Sequence, residues 1–210
     1  MWVVGILVGV GGLVAVAAVV LLGTTSSRSH ASESTSSVAT ATGQVISARG
    51  GTVSLTLPEG WRGADVSNGI DGVGAKLAPD DPAAAARIEQ RLTVLPRAVV
   101  LFGAQPFSGV GFADNVNVLP DPTVPASLSL EETGPLEARG IAHVATVSDQ
   151  GFVDFGAVRA YRIVYKTGSF SGVSFIVKGT TDTWVLTYTF GASTADVDLA
   201  EASASTFTAP

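Results

Sequence analysis

The amino-acid sequence predicts an α+β fold: an antiparallel sheet covered by helices, as in an α/β/α sandwich, preceded by one transmembrane helix. Four strand-like runs follow one another over residues 143–190 with short connections, a succession typical of antiparallel sheets. Helix-like runs lie before and after these strands, which indicates helical layers on the faces of the sheet. Residues 2–22 form one apolar run, which predicts the membrane helix.

Residues 1–23 are predicted to be an uncleaved transmembrane anchor. The run over residues 2–22 has no charged or amide side chain. At about 1.5 Å per residue it is long enough to cross a hydrocarbon core of roughly 30 Å as a helix. A cleaved signal peptide normally has a basic residue before a shorter apolar run and a small-residue cleavage site after it, and Ser29-His30-Ala31 matches such a site poorly. A cleaved signal and a buried core helix are the alternatives.

Residues 24–43 are predicted to be a disordered linker. Twelve of the nineteen residues from 24 to 42 are Ser or Thr, and such a segment buries too little apolar surface to offset its chain entropy. Arg28 follows the apolar run and no Lys or Arg precedes it, which slightly favours a cytoplasmic domain. Ser/Thr-rich stalks are instead typical of the outer side of a membrane. We expect a single-pass protein of the cell membrane with its domain outside the cytoplasm.

Residues 44–210 are predicted to form one domain. Charged residues make up 14% of the chain and the net charge is −6, which argues against nucleic acid and against electrostatic docking on anionic lipid. The sequence contains no cysteine. Disulfides, thiolate nucleophiles, Cys-based zinc sites and an acylated N-terminal Cys are therefore excluded.

The first half of this domain has signals for three strands and a helix. Residues 52–57 alternate hydroxyl and apolar side chains, which predicts a strand. Asp81-Pro82 is typical of a helix start, an Asp cap followed by Pro in the first turn, and Pro96 ends the helix. Two further strands are predicted over residues 98–102 and 115–119.

The second half is dominated by strands. Residues 127–142 are predicted to be helical with an interruption at Gly134-Pro135. Ser193 resembles the first residue of a capping box and is predicted to open a last helix. The strands are predicted over residues 143–148, 158–166, 173–178 and 183–190. The last helix is expected to turn inward Val197, Ala200, Ala204 and Phe207.

No catalytic motif is present, and we expect no catalytic residue, no metal ligand and no cofactor. His143 stands alone at a predicted strand start. Gly168-Ser-Phe-Ser-Gly172 has Phe where the serine of a nucleophile elbow must stand. The adjacent acids Asp80-Asp81 and Glu131-Glu132 lie at predicted helix starts, where the helix dipole favours negative charge, so we interpret them as caps.

Two groups of side chains are candidates for ligand binding. Trp61, Phe107 and Phe112 would form an apolar patch if Trp61 were exposed, although Trp61 is more simply a core lid over the first strand. Asn115 and Asn117 alternate with inward-facing valines on a predicted strand. They would either face solvent or bond to adjacent loops, or else line a ligand groove.

Several short motifs resemble a known family. Leu57-Pro-Glu-Gly-Trp61 follows a strand, Phe112-Ala-Asp-Asn-Val-Asn-Val118 lies at mid-domain, and two hairpin strands precede a closing strand and helix. In this order they resemble the PsbP-like α/β/α sandwich, and within it the LpqN-type envelope lipoproteins of actinobacteria. The resemblance implies binding or adaptor functions toward envelope lipids or membrane proteins, and it carries over no catalytic set. The departure is the acylated N-terminal Cys of those lipoproteins, which this chain lacks.

These observations predict a membrane-tethered, extracytoplasmic binding or accessory domain without catalytic activity. Its ligand would be an envelope lipid or a protein partner held in an apolar groove between sheet and helix. An envelope hydrolase is the first alternative, with residues such as His143, Asp154 and a serine brought together only by the fold. The second is a structural subunit of an envelope complex. The oligomeric state is left open.

Overall fold

The computed structural model describes residues 41–95, 97–106, 113–125, 127–156, 158–168, 170–191 and 194–210. The predicted anchor, nearly all of the predicted linker and Pro96 lie outside these ranges. No helix within them is long and apolar enough to cross a membrane.

The described residues form an α+β fold with a small hairpin and one large antiparallel sheet. The hairpin is β1–β2, and the sheet has seven strands in the order β3-β4-β5-β9-β8-β7-β6, each antiparallel to its neighbours. The predicted class and strand direction are confirmed. The elements are β1 Val45–Ala48, β2 Val53–Thr56, β3 Arg62–Asp65, α1 Val73–Leu77, α2 Pro82–Leu92, β4 Leu101–Ala104, β5 Asn115–Asp121, α3 Leu130–Ala142, β6 Thr146–Phe155, β7 Val158–Thr167, β8 Phe170–Lys178, β9 Thr183–Phe190 and α4 Val197–Ala204.

The sheet is covered on both faces, and each cover makes a separate hydrophobic core. We call one side the helix face, because α1, α2 and α3 pack on it. We call the other the hairpin face, because the β1–β2 hairpin and α4 pack on it. Sheet residues on the helix face include Ala64, Phe102, Leu119, Ile163, Ile176 and Val185. Those on the hairpin face include Leu101, Val118, Phe175, Trp184 and Leu186.

Coverage on both faces explains why the central strands are almost continuously buried. All eight residues of β9 are buried, since its even-numbered side chains enter the hairpin-face core and its odd-numbered ones the helix-face core. Strand β6 lies at the sheet edge, where most of its residues are exposed or half-buried. The alternation of side chains in the sequence therefore indicates where the strands are. How deeply a strand is buried depends on whether it lies at the centre or at the edge of the sheet.

The predicted helix caps are confirmed at two helices. Asp81 accepts a hydrogen bond from the Ala84 N–H at 2.9 Å, with Pro82 in the first turn of α2. At α3, Ser129 and Glu132 form a reciprocal capping box, in which the Ser129 N–H donates to Glu132 Oε2 at 2.9 Å. Each cap satisfies backbone N–H groups that a helix leaves unpaired at its start.

Helix α3 differs from prediction because it is continuous through Gly134-Pro135. A Cβ at Gly134 would overlap the ring of Tyr161, so the glycine serves close packing of the helix on β7. Pro135 removes only the hydrogen bond to the carbonyl of Glu131, an exposed residue whose carbonyl group water can reach.

Four other predicted boundaries are wrong. Helix α2 ends at Leu92 and does not continue to Pro96. His143 does not start a strand: it ends α3 with helical backbone angles (φ −72°, ψ −22°), and β6 begins at Thr146. Asp196 and not Ser193 caps α4, accepting from the Leu199 N–H at 3.0 Å; Ser193 itself lies outside the described residues. The strand expected over residues 98–102 is β4, at Leu101–Ala104.

The C-terminal residues close the hairpin face. The ring of Phe207 lies 5.8 Å from that of Trp184, centroid to centroid. Thr208 and Ser54 exchange two backbone hydrogen bonds of 3.0 Å each, so the end of the chain pairs with β2. The segment after α4 thus packs on the hairpin face and pairs with β2, near the start of the domain.

Candidate ligand cavity

Trp61 is a core residue of the hairpin face. Gly60, at φ +77°, completes the turn that follows Pro58, and the Trp61 N–H donates to the Pro58 carbonyl at 3.1 Å. The side chain is 4% exposed and belongs to the hairpin-face core. The core-lid interpretation is confirmed, which leaves the indole little surface for a ligand. Phe107 and Phe112 lie outside the described residues, so their part in an apolar patch stays a prediction.

Asn115 and Asn117 are fully buried on the helix face. They alternate along β5 with Val116 and Val118, which enter the hairpin-face core. The expectation that they face solvent is wrong, because β5 lies between β4 and β9 in a sheet covered on both sides. The alternative bond to an adjacent segment is confirmed for Asn115, whose Nδ2 donates to the Ala113 carbonyl at 3.1 Å.

The strand register extends these amides into a buried polar patch. Asn117 lies opposite Thr187, which lies opposite Ser174, and the two hydroxyl oxygens of this last pair are 3.3 Å apart. In the next row Asn115 lies opposite Thr189. The Tyr165 ring lies over Gly172 beside this row, and burial raises its pKa to about 12. We call the polar patch the set Asn115, Asn117, Tyr165, Ser174, Thr187 and Thr189.

A buried acid, Glu137, lies on the sheet-facing side of α3. Its side chain is 1% exposed, and Oε1 has no hydrogen-bond partner among the described residues. Burial and the carboxylate of Asp121 raise the pKa of Glu137 to about 8. Asp121 is itself held by the Thr123 N–H at 2.8 Å and the Thr123 hydroxyl at 2.6 Å. Glu137 therefore keeps its proton at neutral pH, but no external substrate can reach it.

A cavity of about 320 Å³ opens on the helix-face side of the sheet, near its β3 edge. It lies between the end of β3, the loop that follows, the end of α2 and the segment that leads into β4. We call its aliphatic lining residues the floor and its remaining lining residues the rim. The floor is formed by Val66, Ile70, Leu92, Leu95 and Val99, and the rim by Ser67, Gly69, Thr93 and Arg97.

Local sequence explains how this cavity forms. Val66 continues the pairing of β3, since its N–H donates to the Val100 carbonyl at 2.9 Å. Gly69, at φ +117°, turns the chain back toward α1 in a conformation that side chains rarely adopt. On the other wall, α2 ends at Leu92. The cavity is at the lower end of the roughly 300–1,000 Å³ found for ligand pockets, and its apolar lining with few polar groups is typical of them.

Sequence reasoning missed both the cavity and Glu137. The cavity lining comes from two segments about 25 residues apart, and each contributes ordinary core valines and leucines. Glu137 could have been found from its position, since it falls between Gly134 and Ile141 on the apolar face of α3. An acid on the buried face of an amphipathic helix is a recognisable exception to the pattern.

The predicted alternative of a site assembled from His143 and Asp154 is not formed. His143 is exposed at the end of α3, next to the first residues of β6. Asp154 lies near the other end of β6, roughly 26 Å away along the strand at 3.3 Å per residue, and pairs with Arg159 at 3.7 Å. Within the ranges that the structure covers, no three His, Cys, Asp or Glu side chains are grouped so as to hold a metal ion.

No family model matches the chain, and no curated protein matches it in sequence. The resemblance to the PsbP-like and LpqN-type proteins stays a prediction.

Proposed function

We propose that the chain is a membrane-tethered, extracytoplasmic binding domain that holds the apolar part of an envelope lipid in the cavity between Val66 and Val99. The observation that carries this proposal is the cavity itself, which has an apolar floor, a polar rim and the volume of a small ligand site. Residues 1–23 would be the anchor and residues 24–43 the linker. Such a linker would let the cavity sample the space next to the bilayer.

In this proposal the domain is a PsbP-like α/β/α sandwich of the LpqN type. The division of the helices between the two faces of the sheet supports it, with α1, α2 and α3 on one face and α4 on the other. The β1–β2 hairpin shares the second face with α4. The anchor helix would replace the acylated cysteine of the lipoproteins.

A binding role without chemistry agrees better with the geometry than a hydrolase does. Glu137 is the observation that favours a hydrolase, because a raised pKa beside a second acid is typical of catalytic carboxyls. A general acid must, however, come within hydrogen-bond distance of its substrate, and Glu137 is 1% exposed. The third reading, a structural subunit, would need a continuous apolar surface. The large apolar side chains most exposed among the described residues are dispersed: Val45, Val94, Val144 and Phe152.

The proposal is tested by filling the cavity in the full chain. Ile70 is half-buried in its floor, so Ile70→Trp should occupy the space that a lipid would use. Val144→Trp is the matched control, since Val144 is 38% exposed and does not line the cavity. Both proteins are purified with the wild type in mild detergent, and the lipids they retain are quantified by mass spectrometry.

We expect a lipid retained by the wild type and by Val144→Trp, and lost from Ile70→Trp. Equal retention by all three proteins, or retention by none, would overturn the cavity as the binding site. Protease digestion of residues 44–210 from outside intact cells tests the orientation separately. Protection in intact cells, with digestion after lysis, would place the domain in the cytoplasm and exclude envelope lipids as ligands.

A further inference from the structure

We propose that the cavity selects an amphiphile with one acyl chain and an anionic head group, and that Arg97 binds that head group. This inference rests on the proposed function and names the ligand class of the same cavity. It is based on two observations. At the rim, Arg97 is the side chain whose N–H donors are not already used among the described residues, and the floor encloses only a small volume.

Arg97 provides the free positive charge at the rim. Arg97 is among the residues that line the cavity, it is exposed, and it forms no ion pair with any described residue. Three other arginines of the domain form ion pairs: Arg62 with Asp80, Arg159 with Glu131 and Asp154, and Arg162 with Asp149 and Glu201. A planar guanidinium with unused donors favours carboxylate and phosphate, which it can bind through two parallel hydrogen bonds.

The two rim hydroxyls have already donated their protons within the protein. The Ser67 hydroxyl donates to Asp65 Oδ1 at 2.6 Å, and the Thr93 hydroxyl donates to the Gln90 carbonyl at 2.7 Å. Asp65 and Asp71 are the acids nearest in sequence to the rim, each two residues from a rim residue. The same Asp65 oxygen also accepts from the Ser67 N–H at 2.8 Å, and Asp71 is exposed. The side-chain donors left at the rim are those of Arg97, so a head group there must accept hydrogen bonds.

The volume limits the ligand to one chain. About 320 Å³ is close to the smallest size of ligand pockets, and all five floor residues are aliphatic. A single chain would fill this floor, whereas a second chain would have to lie outside it. The head group could be a carboxylate, as in a fatty acid, or a phosphate, as in a single-chain phospholipid.

The test uses decanoate, decyl phosphate and decanol as probes of the full chain in phosphatidylcholine nanodiscs. Binding is followed by the methyl NMR signals of Ile70, Leu92 and Val99, which report on the floor and not on partition into the bilayer. Arg97→Glu reverses the rim charge, and Arg97→Lys keeps it. Arg87→Glu is the matched control, because Arg87 is an exposed residue of α2 that does not line the cavity.

We expect the anionic probes to bind the wild type more tightly than decanol, and Arg97→Glu to weaken them about tenfold while leaving decanol unchanged. Arg97→Lys should keep most of the affinity, and Arg87→Glu all of it. Tight binding of decyl phosphate alone, or of decanoate alone, would support the inference and identify the head group. Equal affinity for the three probes, unaffected at Arg97, would overturn this inference and leave the cavity as a binding site. No shift of the floor methyls with any probe would overturn both.

Discussion

The two faces of the sheet differ in what they bury. The hairpin face buries large aromatic side chains, and its buried Tyr188 and Ser203 hydroxyls are paired: the Tyr188 hydroxyl donates to Ser203 Oγ at 2.8 Å, and Ser203 donates to the Thr56 carbonyl at 2.6 Å. Trp184 Nε1 is its exception, without a hydrogen-bond partner among the described residues. The helix face buries an acid without a hydrogen-bond partner for Oε1, a polar patch and the wall of a cavity. Well-satisfied apolar packing stabilises a fold, while incompletely satisfied polar groups and space are features of functional regions. The hairpin face thus has the larger share of aromatic packing, and the helix face carries the buried acid, the polar patch and the proposed ligand cavity.

The largest expected effect is the loss of an aromatic side chain from the hairpin face. Phe175 is fully buried, and its ring lies 5.7 Å from Phe155 and 6.0 Å from Tyr188 in edge-on contacts. We expect Phe175→Ala to lower the free energy of unfolding by about 3–5 kcal/mol, measured by urea denaturation of the full chain in mild detergent. Phe152→Ala, at a side chain 40% exposed, should lose much less. Similar losses of stability at both positions would show that the buried aromatic side chains of the hairpin face are not especially stabilising.

The next effect has the opposite sign, because Glu137 on the helix face destabilises the fold as pH rises. Its pKa is about 8 in the folded protein, against an ordinary value of 4.5 for a glutamate, so the unfolded chain releases the proton first. Stability should therefore fall as the pH rises from about 4.5 to about 8, by a few kcal/mol in total, and level off above that range. Glu137→Gln should flatten this dependence and be the more stable protein at pH 8.

The pH dependence is measured as the urea midpoint from pH 5 to pH 9, with Glu59→Gln as the control at an exposed acid. The control should retain the wild-type slope. An unchanged slope in Glu137→Gln would show that Glu137 does not hold a proton at neutral pH.

The smallest expected effect on stability comes from removing a single buried hydroxyl, and its size should differ between the two faces. The Thr189 hydroxyl is buried on the helix face without a hydrogen-bond partner among the described residues, so Thr189→Val should change stability by less than about 0.5 kcal/mol. Ser203→Ala on the hairpin face leaves the Thr56 carbonyl and the Tyr188 hydroxyl unpaired, and should cost about 1–3 kcal/mol. Thermal denaturation of both variants measures the difference, and a reversed order would refute it.

The sequence predicts most of the hairpin face, since that face follows simple alternation. Strand β9 lies where its alternating run was predicted. On the helix face, Asp81-Pro82 starts α2 as expected. Strand β3 was missed because Arg62-Gly-Ala-Asp65 contains no strongly strand-forming residue. It forms because its backbone pairs with β4, and a Cβ at Gly63 would lie 2.7 Å from the Phe102 carbonyl oxygen. Such a strand depends on tertiary contact and leaves no periodic signal.

The candidate site was less predictable than the fold. Alternation placed Asn115 and Asn117 together on one face of a strand, but it cannot say whether that face is covered. The burial of Trp61 was predicted, since a large aromatic residue after a turn commonly covers the adjacent strand. The cavity depends on where the end of α2 lies relative to β3, which no local pattern encodes. The sequence around Arg97 therefore gives no indication that this residue lies at a cavity.

The bond between Thr208 and Ser54 has a consequence for the synthesis of the protein. Thr208 follows Ser54 by 154 residues, so β2 leaves the ribosome long before this partner has been synthesised. Strand β5 likewise waits for β9, its partner more than sixty residues later in the chain. We therefore expect the domain to complete its fold only when β9 and the segment at Thr208 have emerged, and to depend until then on whatever keeps an unfinished sheet from pairing with other chains.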